Sequence, residues 1–252
     1  LDEPAAGALG AAAVIGAQVD LEVLAEVVGT DVATVLARCR PLLDAGLLVE
    51  PDAGADLAFA HALTLDAVHE GLGTAERRLL HRRVAEALRA VRPDDRAAVA
   101  TPLAAGGPAV DAEAVAAMLD AGDHALAQMA WVSARDWFTE ALERRPVTDS
   151  SRVRALIGAG AALRGIGRRD EARDALSEAL DAARSLGETR LAAEATLGLV
   201  GGGARGVSEA LPDSDRAQLL RSAVDGLGPD DDDLRIPLQL ELALALLLTD
   251  PG

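Results

Sequence analysis

The chain of 252 residues has no lysine, no asparagine and no tyrosine, one cysteine, and only two phenylalanines and two tryptophans. Each shortage excludes something. Without lysine, a phosphate-binding loop of the G-x-x-x-x-G-K-[ST] type is impossible. With Cys39 alone, neither an internal disulfide framework nor a thiolate-only zinc site can form, and a reducing compartment, the cytoplasm by default, is expected. No apolar run reaches the roughly 18 residues of a membrane span, and the amino terminus lacks the basic and apolar regions of a signal peptide, so no membrane partner is expected. Aromatic residues make up 2% of a chain that is half apolar, so Ala, Leu and Val must build the core, which favours closely packed helices. All 24 basic residues are arginine, a mark of codon bias rather than chemistry. Against 41 acidic residues they leave a net charge of −17, which repels a phosphate backbone or an anionic membrane.

What is present repeats itself. Met118, Ala121, Gly122 and Ala125, then Ala134, Phe138 and Ala141 with Pro146 beyond, are answered 38 residues later (Met118 to Leu156) by Leu156, Ala159, Gly160 and Leu163, then Ala172, Leu176 and Ala179. Small residues at these marks let two helices approach closely, large ones fill the seam, and a lone hairpin of this kind cannot bury its apolar face. The order of positions resembles the tetratricopeptide repeat, stretched by about four residues from its usual period of roughly 34. A third copy starts with the helix 188–200, keeps Leu197-Gly198 in register, is interrupted by Gly201–Gly206, and resumes near Asp213.

Ahead of the repeats, a helix is expected over 4–17. Asp20 caps a second one ended by Gly29, and Asp31 caps a third that Pro41 should kink or shorten. Strands at 47–50 and 57–60 flank a turn at 51–54, so three helices and a β-hairpin predict a winged helix. A helix to Leu72 follows, then Thr74 caps a longer one. The expected fold class is thus mainly all-α: a winged helix with its following helices over 1–91, a Pro- and Gly-punctuated junction over 92–110, and an α-solenoid of tetratricopeptide-like hairpins over 111–252. The chain starts at Leu1 without methionine and ends just after a very apolar helix, so truncation from a longer parent is expected.

The run Ala45-Gly46-Leu47-Leu48, the element Phe59-x-His61-Ala62-Leu63 and the run from Leu80-His81-Arg82-Arg83 to Leu88, followed by the repeats, resemble the middle of the LuxR-family large ATP-binding transcriptional regulators. These are relatives of the maltose-regulon activators within the signal-transducing ATPases, in which an ATPase core precedes the winged helix and a LuxR-type helix-turn-helix closes the chain. The chain departs from them at Leu65-Asp66, where the family often has Arg-Glu, and at His69, where an aromatic is common. The resemblance implies that His61 contacts the diphosphate of ADP held by the ATPase domain, so that ATP or ADP is a cofactor of the parent and not of this segment. An imidazole N–H suits that contact, because it donates to a phosphate oxygen and loses its partner when the nucleotide changes. The bland alternative is a histidine that caps or packs at a strand-to-helix turn.

Other chemistry is scarce. There is no G-x-S-x-G elbow, H-E-x-x-H or Cys/His cluster. His61 and His69 lie two helical turns apart, ~12 Å, too far for one metal. Asp230–Asp233 lacks the spacing of a calcium loop and suits the start of a helix. No catalytic or metal-binding residue is nominated, and no enzyme is expected. The resemblance to the tetratricopeptide hairpin instead implies that Ala116, Leu119, Asp123 and Leu126 of one repeat, with Arg154, Ile157, Ala161 and Arg164 of the next, lie along a concave groove. An apolar floor, two guanidiniums for a carboxylate and one acid for an amine suit a protein partner or small-molecule inducer. The alternative is a groove that packs on the ATPase or on further helices. Trp131 and Trp137 are read as core.

The first 91 residues carry 14 acidic and 7 basic side chains, so the winged helix is read as a packing and relay module without direct nucleic-acid contact. Self-association is expected through the apolar helix Leu234–Thr249, with glutamate at Leu242 and Leu246 opposing it. The resemblance implies a non-catalytic sensor and relay segment of an ATP-dependent transcriptional activator. The alternatives are the same segment fused to a nucleotide cyclase or kinase, or a free-standing tetratricopeptide adaptor.

Overall fold

The computed structural model describes residues 1–51, 54–107, 111–144, 148–201 and 213–249. The protein is mainly helical, with thirteen helices and three short strands among the described residues. It divides into two compact units, 1–117 and 118–252.

In the first unit, α1 (Glu3–Ile15) starts at Asp2, whose Oδ1 accepts from the Ala5 N–H at 3.0 Å. Alanines at 5, 8, 11 and 12 are sealed, and such a helix, small on every side, can be surrounded. It packs against α2 (Leu21–Val28), α3 (Val32–Asp44), α4 (Ala62–Gly71) and α5 (Thr74–Val91). Asp20 accepts from the N–H groups of Glu22 and Val23 and Asp31 from that of Thr34, so both expected caps are in place, and Gly29 closes α2 in the left-handed region. Pro41 does not stop α3, which runs through it to Asp44; near the helix end the missing N–H removes only one bond. Thr74 is the first residue of α5 rather than its cap, a position held by Gly73.

The sheet has three strands, β1 (Gln18–Val19), β2 (Leu48–Val49) and β3 (Leu57–Phe59), in the order β1-β3-β2 with both pairs antiparallel. β2 and β3 are the expected hairpin, whose turn residues 52–53 lie outside the described residues. β1 is additional, pairing Gln18 with Ala58 and Val19 with Leu57. Val19, Leu24, Leu42, Leu48 and Leu57 fill the core below the sheet. Most of the segment expected as a junction is a helix, α6 (Arg96–Ala105), capped by Asp95, carrying a buried Pro102 and packed on α5. Residues 108–110 lie outside the described residues.

The division between the units falls inside α7 (Asp111–Ala127). In the second unit α8 (Trp131–Glu143), α9 (Asp149–Ile166), α10 (Arg169–Leu186), α11 (Thr189–Val200), α12 (Asp213–Asp225) and α13 (Asp232–Thr249) pack each on the next, and α11 also meets α9 and α13. Phe138 of α8 lies over Gly122 of α7, where a Cβ would come within 2.6 Å of its Cζ, and also over Gly158 of α9. Leu176 of α10 covers Gly160 of α9 and Gly198 of α11, and a Cβ would stand 2.5 and 2.7 Å from its side chain. Gly122, Gly160 and Gly198 are spaced by 38 residues, so the repeat seen in sequence is a packing period. Trp131 packs on Gly165 at the end of α9. The interruption at 202–206 and the residues Arg145–Val147 around Pro146 lie outside the described residues.

α13 is two-faced. Leu234, Leu238 and Ala245 are buried and Leu242 packs on the core, while Ile236, Leu240, Leu244 and Leu247 are exposed at spacings of four, four and three. Arg216 of α12 and Glu241 of α13 form a buried ion pair of 2.8 Å, and Arg216 also donates to the Val200 carbonyl at 3.0 Å.

Candidate functional site

His61 is the residue before α4, in extended backbone (φ −144°, ψ 138°), and its side chain makes no capping hydrogen bond. It is exposed, as is Leu63 beside it. Extended backbone ahead of a helix leaves the first-turn N–H groups and the imidazole on the same end of α4, an arrangement compatible with an anion.

The groove residues separate into those brought together and those spent elsewhere. Arg154 of α9 donates to Asp123 Oδ2 of α7 at 3.0 Å, and both side chains are about half exposed. Partial burial pushes the Asp123 carboxyl up, Arg154 pulls it back, and Asp120 adds to the rise. Glu194 of α11 is likewise raised by burial, against the pull of Arg190 and Arg154, with Asp233 and Asp123 raising it further. Arg190 holds Asp231 at 2.7 Å, Asp233 at 2.6 Å and Glu194 at 3.3 Å. A row of linked charges therefore runs from α7 through α9 and α11 to the start of α13. Arg164 is directed elsewhere, to the carbonyls of Gly198 at 3.0 Å and Gly201 at 3.4 Å, where it clamps the end of α11. Leu119 is sealed in the core, Leu126, Ile157 and Ala161 are half-buried, and Ala116 is exposed. A ligand carboxylate reaching for Arg154 meets Asp123 already bound to one of its nitrogens.

In the acidic run, Asp231 accepts from the Gly228 N–H at 2.9 Å and, with Asp233, binds Arg190, whose hydrogen bonds hold both carboxyls below their usual range. These oxygens anchor α13 to α11.

One hollow of the first unit falls on none of the nominated residues. A cavity of about 630 Å³ opens between the end of α1, the hairpin tip at Gly54–Asp56, α5 and α6. Its walls are mostly small or aliphatic: Gly16, Val84, Leu88, Ala98, Pro102 and Ala105. At its edge Arg92 binds Asp20, and Asp56 accepts from the Leu21 N–H at 2.9 Å. Burial tends to raise Asp20, and the bonds from Arg92, Val23 and Glu22 outweigh that and leave its carboxyl lowered. His81, 5% exposed, lines the same cavity, and its Nδ1 is buried with no hydrogen-bond partner. In the sequence it sits inside an arginine-rich helical run, where the surrounding charges mask it; the only signal was its place at the register of Val84 and Leu88 on the inner face of α5.

No protein-family description, curated protein or solved structure matches this chain.

Proposed function

We propose that the chain is a non-catalytic sensor and relay segment of an ATP-dependent transcriptional regulator of the LuxR type, with a winged helix followed by a tetratricopeptide-like solenoid. The observation that carries this reading is the 38-residue recurrence of Gly122, Gly160 and Gly198 beneath Phe138 and Leu176, because stacked hairpins of this kind make extended partner surfaces. The first three helices, α1–α3, and the three-stranded sheet of the first unit support the winged helix. In this reading the repeats hold an ATPase domain closed until an inducer or partner occupies the groove. That occupant must bind one state more tightly than the other. The Asp123–Arg154 pair is the natural gate, since a carboxylate competes for Arg154 and a guanidinium for Asp123. His61 reports the nucleotide by donating to its diphosphate, and the net charge of −17 leaves DNA contact to another domain.

The coding sequence on either side tests the reading directly: a P-loop ATPase before the segment and a LuxR-type helix-turn-helix after it are expected, and a cyclase or kinase domain would overturn it. In the intact protein, His61→Ala should weaken ADP retention by about 10- to 100-fold in filter binding, the worth of a hydrogen bond to a charged group. Unchanged retention would remove His61 from the switch. A gel shift of the segment itself should show no sequence-independent binding at micromolar protein and physiological salt.

A further inference from the structure

We propose that the cavity between α1, α5 and α6 is a binding site for an uncharged amphipathic small molecule, whose apolar body lies against Val84, Leu88 and Pro102 and whose hydroxyl or carbonyl oxygen accepts a hydrogen bond from His81.

Size, lining and hydrogen bonding converge on that ligand. A volume of about 630 Å³ falls within the roughly 300–1,000 Å³ of small-molecule sites, which pair apolar walls with a few placed polar groups. The hollow exists because Gly16, Ala98 and Ala105 stand where larger side chains would fill it, in a chain with almost no aromatics to do so. His81 Nδ1 is sealed from solvent without a partner, and a bare ring nitrogen is better tolerated there than an orphan N–H. The proton therefore sits on Nε2, which makes the ring a donor where His81 lines the cavity. Burial, with His69 and Arg77 nearby, lowers the His81 pKa to about 4, so the ring is neutral at physiological pH and recognises an oxygen rather than an anion. At the edge Arg92 is paired with Asp20, and Asp56 accepts from the Leu21 N–H. An anionic ligand group reaching for Arg92 would compete with Asp20; a neutral one need not. This site is independent of the repeat groove and of the transcriptional reading.

Paired probes test it: 2-naphthol and naphthalene, which share a ring system and differ by one hydroxyl, titrated into the protein and followed by probe fluorescence. The wild type should bind 2-naphthol about five- to tenfold more tightly than naphthalene, the worth of one neutral hydrogen bond. His81→Leu should abolish that preference while leaving naphthalene affinity unchanged, and His81→Gln, which retains an N–H donor, should keep part of it. Ala98→Trp, filling the cavity from α6, should abolish binding of both probes; Val84→Phe fills it from α5 and serves if the first variant fails to melt cooperatively. The proposal is overturned if the wild type binds neither probe, binds both equally, keeps its preference in His81→Leu, or still binds when the cavity is filled in a folded variant.

Discussion

His81 is held neutral by a surrounding it does not share with the other histidines. It is 5% exposed, its ring meets that of His69 edge-on with centroids 5.9 Å apart, and Arg77 lies within electrostatic reach. Burial is the largest cause of its fall from 6.5 to about 4, and electrostatic interaction with His69 and Arg77 adds to it. It shares the cavity lining with Asp20 and Arg92, which are paired, and with Asp56, which accepts from the Leu21 N–H. The folded pKa lies below the unfolded one, so between these values the unfolded chain binds a proton that the folded chain refuses. Stability is complete above about pH 6.5 and is lost as pH falls toward 4. Carboxylates titrate at the lower end of that window, so the informative quantity is the difference between the wild type and His81→Phe in urea unfolding. From pH 7 to pH 5 the wild type should lose about 2 kcal/mol relative to the variant. A difference that does not change with pH would mean that His81 titrates as a free histidine. The Asp123–Arg154 pair is the opposite case, because side chains about half exposed contribute roughly 0–1 kcal/mol. Its value is that it can be exchanged for a partner at little cost.

Among elements, the glycines of the repeats are ordered by what a methyl group would meet. At Gly160 a Cβ stands 2.5 Å from Leu176 Cγ, so Gly160→Ala pushes α9 away from α10 and should cost about 1–3 kcal/mol in chemical denaturation. At Gly7, inside α1, nothing lies within 4 Å, and Gly7→Ala should add about 0.5–1 kcal/mol by lowering the entropy of the unfolded chain. If both changes moved stability the same way, the close helix approach would not be the reason for glycine at 160. This period was readable because it is local and repeated: Gly122, Gly160 and Gly198 recur with their large partners in one register. The caps of α2 and α3 were readable for the same reason, each being an aspartate two or three residues from the N–H groups it serves. β1 was not, because two residues carry no alternation and the partner of Gln18 is Ala58, far along the chain. α6 was hidden by its composition, since Pro102 and the neighbouring glycines resemble a linker until the burial of Val99, Pro102 and Leu103 against α5 is known. The groove divided along the same line. The hairpin pattern put Asp123 and Arg154 in one groove, but as separate ligand contacts, and their pairing, like Leu119 in the core and Arg164 on the Gly198 carbonyl, depends on neighbours that spacing alone does not supply.

Over the whole molecule, two features act against each other. The stripe of Ile236, Leu240, Leu244 and Leu247 on α13 is an exposed apolar face of the kind that associates, and a second copy presenting the same stripe is its simplest complement. Each copy also carries a net charge of −17, and bringing two such bodies together is opposed by repulsion that salt screens. Association should therefore strengthen with ionic strength, the reverse of what ion pairing across an interface would give. In sedimentation velocity the wild type should move toward a dimer as salt rises from about 0.05 M to about 0.5 M, where the screening length falls to a few ångströms. The residues to change are Leu240 and Leu247, 61% and 76% exposed, because Leu242 packs on the core and its replacement would destabilise the monomer instead. Leu240→Glu with Leu247→Glu should hold the protein monomeric at both salt concentrations without lowering its melting temperature. A dimer that persists in this variant would place the contact on another face, and one that dissociates as salt rises would make charge, rather than the leucine stripe, the source of the association.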